Sequence, residues 1–254
     1  MENLKISLCI TTMDRFDNFL SKNLDNYLEY FKNGLIDEII ISDENGNDYE
    51  KIQEKYNDIL KTTPNFKIYK NEERLGVFKN KLKVCSYASN EYIALIDSDN
   101  FPDNNYFKTI KKYIESNNKN FPKNIIMAPS NAINKNNSPY LNYKEFENQI
   151  ITKSNIKQYL PNIKFQVLLN TGNYIISKNI TDIEYNNNLM DIISGCDVIF
   201  FNLLAFMKYP DLEIHVIEGL EYFHTEHKDG EYNKRDSKCD LFRELAIIPE
   251  YNNL

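Results

Sequence analysis

GVFKNKLKVCSYASNEYIALIDSDNF, residues 76–101, is the stretch that decides the fold. Residues 76–88 carry helical spacing. The run from Tyr92 to Ile96 is short, apolar and suited to a buried strand. It ends abruptly in Asp97 and Asp99. A helix followed closely by a buried strand is the repeating unit of an α/β protein. Two carboxylates at the end of the strand raise a chemical question that the rest of the chain has to answer.

The alternation continues in both directions. Apolar, β-rich runs at 5–11, 36–42, 66–70 and 124–130 read as further strands. Helical spacing covers Phe16 to Phe31, 48–60 and 103–115, with Asp48 and Asp103 as expected helix openers. Strands alternating with helices predict an α/β, Rossmann-like, mostly parallel central sheet with helices on both faces. Such sheets bind ligands at the carboxyl ends of their strands. Thr11, Thr12, Asp43, Asp97 and Asp99 all fall at predicted strand ends, so one crevice can gather them.

The second half is less regular. A polar loop is expected at 131–142, a helix near 143–159, and a strand-like run at 165–177 interrupted by Gly172. A buried helix at 195–209, a strand at 212–219 and a polar tail from 220 complete the reading. No internal repeat or linker tract divides the chain. A single domain, 1–254, is expected, with functional halves 1–130 and 131–254.

Composition narrows the function. Of 254 residues, 42% are hydrophobic and 26% charged, which fits a soluble globular chain. A net charge of -7 argues against sequence-independent nucleic-acid binding. It leaves an anionic substrate open, because a metal can supply local positive charge. The start, MENLKISLCI, lacks a signal-peptide pattern. The most apolar later stretch, DVIFFNLLAFM, is too short to span a bilayer. Cys9, Cys85, Cys196 and Cys239 are far apart and form no metal-ligand pair, so reduced thiols in a cytoplasmic protein are expected.

In an extended segment residues i and i+2 point the same way, so Asp97 and Asp99 can converge. Like charges that close need a cation or a shared proton. Mg²⁺ and Mn²⁺ prefer such oxygen ligands and leave positions for phosphates. A calcium EF-hand loop is excluded, because Pro102 and Lys108 stand where it needs Gly and Glu. Taken alone, the segment reads first as a solvated turn and helix-cap segment.

Four motifs in order change that balance: SLCITTMDR with Arg15, EIIISDENG with Asp43, NEERLGVFKNK with Arg74, Gly76 and Lys79, and ALIDSDN. Together they resemble the nucleotide-sugar-binding half of GT-A glycosyltransferases of the family 2-like group, over roughly residues 4–130. The resemblance implies a metal-dependent, inverting glycosyltransferase. Its donor would be a nucleoside-diphosphate sugar, UDP favoured, its cofactor Mn²⁺ or Mg²⁺, and its acceptor a hydroxyl on a glycan, glycoprotein or other molecule. It implies that Thr11 and Asp43 contact base and ribose, and that Arg15 and Arg74 lie near the nucleotide or its phosphates. Asp97 would sit near ribose and metal, and Asp99 would ligate the metal.

In the second half the resemblance makes Asp197, in ISGCDVIFFNLLAF, the general base. Cys196 stands where the family carries the first acid of a pair. Thr171, Gly172 and Asn173 would flank sugar and acceptor, and His224 would be a further metal ligand. His215 reads as a core or edge histidine. His224 and His227, at i, i+3, form a second, weaker metal option. Two other functions stay open. A sugar-nucleotidyltransferase would need a Gly-rich loop that TTMDRFDN lacks. A non-catalytic nucleotide- or sugar-binding homologue would explain Cys196.

Overall fold

Strand β1 (Ile6–Thr12) is buried at every residue but Thr11. An unbroken apolar run of this kind belongs to a parallel strand covered on both faces. It lies between two parallel neighbours, β2 (Glu38–Asp43) and β4 (Tyr92–Asp97), and β3 (Phe66–Lys70) extends the sheet beyond β2. The register sets Thr11 against both Ser42 and Asp97, and Thr12 against Asp43. The carboxyl ends of these strands are therefore level.

The computed structural model describes residues 4–117, 121–184, 195–227 and 237–254. Helices α1 (Ser21–Lys32), α2 (Asn47–Thr62), α3 (Val77–Ser86) and α4 (Tyr106–Ser116) alternate with these strands, and a two-residue β5 (Phe101–Pro102) follows β4. The second half adds β6 (Ile125–Ile133), β7 (Ile150–Thr152), α5 (Ile163–Leu169), β8 (Tyr174–Ser177), α6 (Asp197–Lys208) and β9 (Glu213–Phe223). Two short helices, α7 (Ser237–Phe242) and α8 (Ile248–Asn253), end the chain.

The sheet order is β3-β2-β1-β4-β8-β6-β9-β5, with β7 also on β9. β6 and β9 run in the same direction as β1 to β4, and β5, β7 and β8 oppose them. The sheet is thus mostly parallel, as the sequence predicts. One hydrophobic core runs through both halves, from Ile6 to Tyr251. Among the described residues no helix is long and apolar enough to cross a membrane.

Several local expectations are corrected. Asp48 does not cap α2. Gly46, at φ 88°, precedes the helix, and Asp48 is buried in its first turn. Its carboxylate accepts from the Thr12 hydroxyl and from the Arg15 and Phe16 N–H groups, which fixes the loop after β1. Asp103 does not open α4 either. It accepts from Asn105 N–H, and the helix begins at Tyr106.

The helix expected near 143–159 is replaced by two single turns, Lys144–Phe146 and Ile156–Gln158, on either side of β7. Asn148, at φ 63°, breaks the helical path between them. The run at 165–177 divides into α5, a turn at 171–173 and β8. A short apolar run such as FQVLL is ambiguous by periodicity, and packing decided for helix. β6 continues three residues into the expected polar loop, and β9 continues to Phe223, burying Leu220 and Tyr222 within the expected tail.

Candidate active site

The level strand ends open into a cleft of about 730 Å³. Its first-half wall includes Thr11, Thr12, Arg15, Arg74, Asp97 and Asp99. Its second-half wall includes Thr171, Gly172, Asn173, Asp197 and His224. The structure therefore gathers every expected site residue except Asp43.

Asp43 is buried at the end of β2, behind the wall. Its carboxylate accepts from Tyr49 N–H at 2.8 Å and from Asn45 N–H at 3.3 Å, forming an Asx-type turn. Burial pushes its carboxyl above the usual range, and the two N–H groups only partly offset this. The next residue, Glu44, lines the cleft instead. It accepts from Gly76 N–H and, at 3.0 Å, from the Asn71 amide. Asn71 and Ser42 both donate to Asn80 Oδ1, so Glu44 belongs to a network that ties β2 to α3.

At the end of β4 the carboxylates meet side-chain cations. Asp97 Oδ1 lies 3.1 Å from Lys81 Nζ, and the same ammonium lies 2.9 Å from Asp197 Oδ2. Lys81 is 9% exposed. Burial alone would lower its pKa, but the Asp197 and Asp97 carboxylates prevail and hold the ammonium well above its usual range. Asn173 Oδ1 accepts from the Asp97 N–H at 3.0 Å, which joins the 171–173 turn to β4. Gly172 packs close to the strand end: a Cβ there would lie 3.2 Å from Asp97 Oδ2, which would have to shift by a few tenths of an ångström.

Asp99 faces a different partner. His227 Nε2 lies 2.9 Å from its Oδ2, and Arg15 Nε lies 3.9 Å away. His227 also packs on Phe19, with ring centroids 4.8 Å apart. His224, the expected ligand, lines the cleft, but its N–H donates to Ile133 and its Nδ1 is buried without a hydrogen-bond partner. The structure thus brings His227 rather than His224 to Asp99. Among the described residues no group of three or more His, Cys, Asp or Glu side chains converges. Asp99 and His227 are two neighbouring donors that could hold a cation together. Ligands about 2.1 Å from one octahedral ion stand about 3 Å apart, so the Asp99–His227 spacing fits adjacent positions on a Mg²⁺- or Mn²⁺-sized cation.

The last strand sets this arrangement. β5 pairs with the end of β9, Phe101 opposite Phe223 and Pro102 opposite Tyr222. Thr225 N–H then donates to Asn100 Oδ1 at 2.9 Å. The loop carrying Asp99 is therefore clamped by the segment carrying His227.

Lys81, Glu44 and Arg243 are cleft residues that the sequence reading missed. Lys81 left a signal: it shares a buried helical face with Asn80, Val84 and Cys85, and lysine is rarely found on a core-facing stripe. Arg243, just after α7, reaches the cleft with its Nε buried and without a hydrogen-bond partner. His215 lies elsewhere, between Tyr113 and Glu213, in agreement with the core-or-edge reading. All four cysteines are buried and free, and Cys196 lies beside Cys239.

The family model described as Glycosyl transferase family 2 matches residues 7–204. Among solved structures, S. aureus TarS 1–349 in complex with UDP-GlcNAc aligns at a TM-score of 0.70 and 15% identity, over 98% of this chain and 66% of that one. The UDP complex of the same protein gives 0.65 and 16%, over 98% and 65%. A longer S. aureus TarS structure gives 0.61 and 16%, over 89% and 38%. Identities this low establish likeness of fold. The chain spans two thirds or less of the length of these three structures. No curated protein sequence matches it.

Proposed function

The chain belongs to glycosyl transferase family 2, and from that premise we propose a metal-dependent, inverting transfer of a sugar from a UDP-sugar to a hydroxyl acceptor. One observation carries the reading. Acids from segments about a hundred residues apart, Asp97 and Asp99 on one side and Asp197 on the other, open onto a single cleft. The choice of UDP is supported by the structural neighbours, which were solved with UDP and UDP-GlcNAc.

The residues divide the work by position. Thr11 and Glu44 face the nucleoside, Glu44 taking the place expected of Asp43. Arg15 and Arg74 supply positive charge for the diphosphate, and a guanidinium fork suits phosphate oxygens. Asp99 and His227 hold the cation, which when bound supplies charge stabilisation for the departing diphosphate. Asp197 takes the proton from the acceptor hydroxyl as its oxygen attacks the sugar carbon from the face opposite the leaving group. Asp197 is the acid assigned to that role, and its neighbour Cys196 is buried and carries no carboxylate.

The test is UDP release from UDP-GlcNAc with Mn²⁺, water serving as the acceptor hydroxyl, alongside calorimetric titration of UDP. Binding together with metal-dependent release is the expected result. UDP binding without release, with water or with any sugar acceptor offered, would establish the non-catalytic alternative.

A further inference from the structure

Lys81 is the one cation within ion-pair distance of Asp197 among the described residues, and it comes from the other half of the molecule. Its helix is firmly seated. Asn80 is bonded to Ser42 and Asn71, and Phe78 packs on Phe200 of α6 with centroids 5.5 Å apart. Its ammonium lies within ion-pair distance of Asp197 Oδ2 and Asp97 Oδ1, without an aligned hydrogen bond to the Asp197 oxygen, and pairs with neither Asp99 nor His227. Gly172 lies beside it, where a Cβ would stand 3.7 Å from Nζ, an ordinary contact distance.

We propose that Lys81 is a positioning residue for the base: it fixes one oxygen of Asp197 and leaves Oδ1 to receive the acceptor proton. This rests on the reading of Asp197 as the base. In the step served, the acceptor O–H proton passes to Asp197 Oδ1 and the acceptor oxygen bonds to the sugar carbon. The bond from that carbon to the diphosphate oxygen breaks, and its electron pair leaves with UDP. The gain is geometric. A reactive group displaced by about 1 Å loses on the order of 100-fold in rate. The contact to Asp97 references the base to the strand end that faces the donor.

The experiment measures kcat for UDP release from UDP-GlcNAc with Mn²⁺, and Kd for UDP with Mn²⁺ by calorimetry, in Lys81→Met, Lys81→Arg, Asp197→Asn and the double variant Lys81→Met/Asp197→Asn. Lys81→Met is expected to lose about 100-fold in kcat. Its Kd should stay within about threefold of wild type, because kcat falls and ground-state binding does not. The double variant should be no slower than Asp197→Asn alone, since groups acting as a unit are non-additive. Lys81→Arg, which keeps the charge and changes the reach, should recover part of the loss.

Wild-type kcat in Lys81→Met overturns the proposal. So does a double variant that loses the product of the two single losses, or a Kd that weakens as much as kcat falls. If Lys81→Met lacks a cooperative melt, Lys81→Arg carries the test alone: lowered kcat at unchanged Kd supports the proposal and unchanged kcat overturns it. Unchanged kcat in Asp197→Asn would instead remove the base reading itself, a result separable from any behaviour of Lys81.

Discussion

The ends of β2 and β4 both carry acids, and they use them differently. Asp43 and the neighbouring Asp48 are held by backbone N–H groups, with one threonine hydroxyl. Asp97, Asp99 and, across the cleft, Asp197 are held by Lys81, His227 and Arg15. Backbone donors cannot leave without unmaking a loop. Side-chain partners can turn away and be replaced by a ligand. Acids of the first kind build the walls of the cleft, and acids of the second kind are available for chemistry.

The sharpest way to break this division is Asp197→Asn. Loss of a general base lowers the rate by about 10²- to 10⁴-fold. UDP release should fall by that much while the melting temperature stays near wild type. A large loss of stability with full activity would reverse the assignment.

Asp99→Ala comes next. Charge-assisted contacts of this kind are worth about 1.5–3 kcal/mol, so Mn²⁺-dependent UDP affinity should weaken by about 10- to 100-fold. His227→Ala should weaken it in the same direction, and His224→Ala should not. Titrating UDP with and without Mn²⁺ in all three variants checks the pairing at the end of β4.

Asp48→Asn tests the other side. Its buried carboxylate accepts three hydrogen bonds, and leaving such groups unsatisfied costs about 1–3 kcal/mol. Urea denaturation should report that loss. A variant with wild-type stability and no UDP affinity would place Asp48 among the exchangeable acids.

The smallest effect concerns pH. Glu38, at the opposite end of β2, is buried. Burial works to raise its pKa, but donors from Lys67, Ser7 and Ser89 outweigh it and hold the carboxyl below the usual range. A lowered folded-state value means the stabilisation is complete above the unfolded pKa of about 4.3. It drains away as pH falls from there through the folded value. Wild type should exceed Glu38→Gln by about 1 kcal/mol at neutral pH, with the gap narrowing below about pH 4. A constant gap down to pH 3 in denaturation curves would contradict the assignment.

The same contrast explains how much of the molecule was legible in its residues. β1, β2 and β4 are parallel strands buried on both faces, so each appears as a largely apolar run, and β2 and β4 carry acids at the end. The second half mixes strand directions, and FQVLL and LEIHVIEG look alike although one is a helix and the other a strand. Asp43 and Glu44 are adjacent acids, and only the set of the strand end decides which faces the cleft. His224 and His227 follow β9 in a loop without periodicity, so neither could be preferred on pattern. Lys81 was missed because its partners, Asp97 and Asp197, come together only in three dimensions.

The pairing of β5 with β9 also has a consequence for how the protein is made. A ribosome that has released residues through 204 has delivered the whole span that matches the family, with Asp97, Asp99 and Asp197 included. It has not delivered β9, the clamp on the Asp99 loop, or His227. On this reading the nascent chain remains without its finished cation site until β9 and His227 have been delivered. Chains stalled shortly before and after β9 clears the exit tunnel, compared for Mn²⁺-dependent capture on immobilised UDP, would time that last step. Capture of the shorter chain as strong as that of the longer would show that the loop needs no clamp.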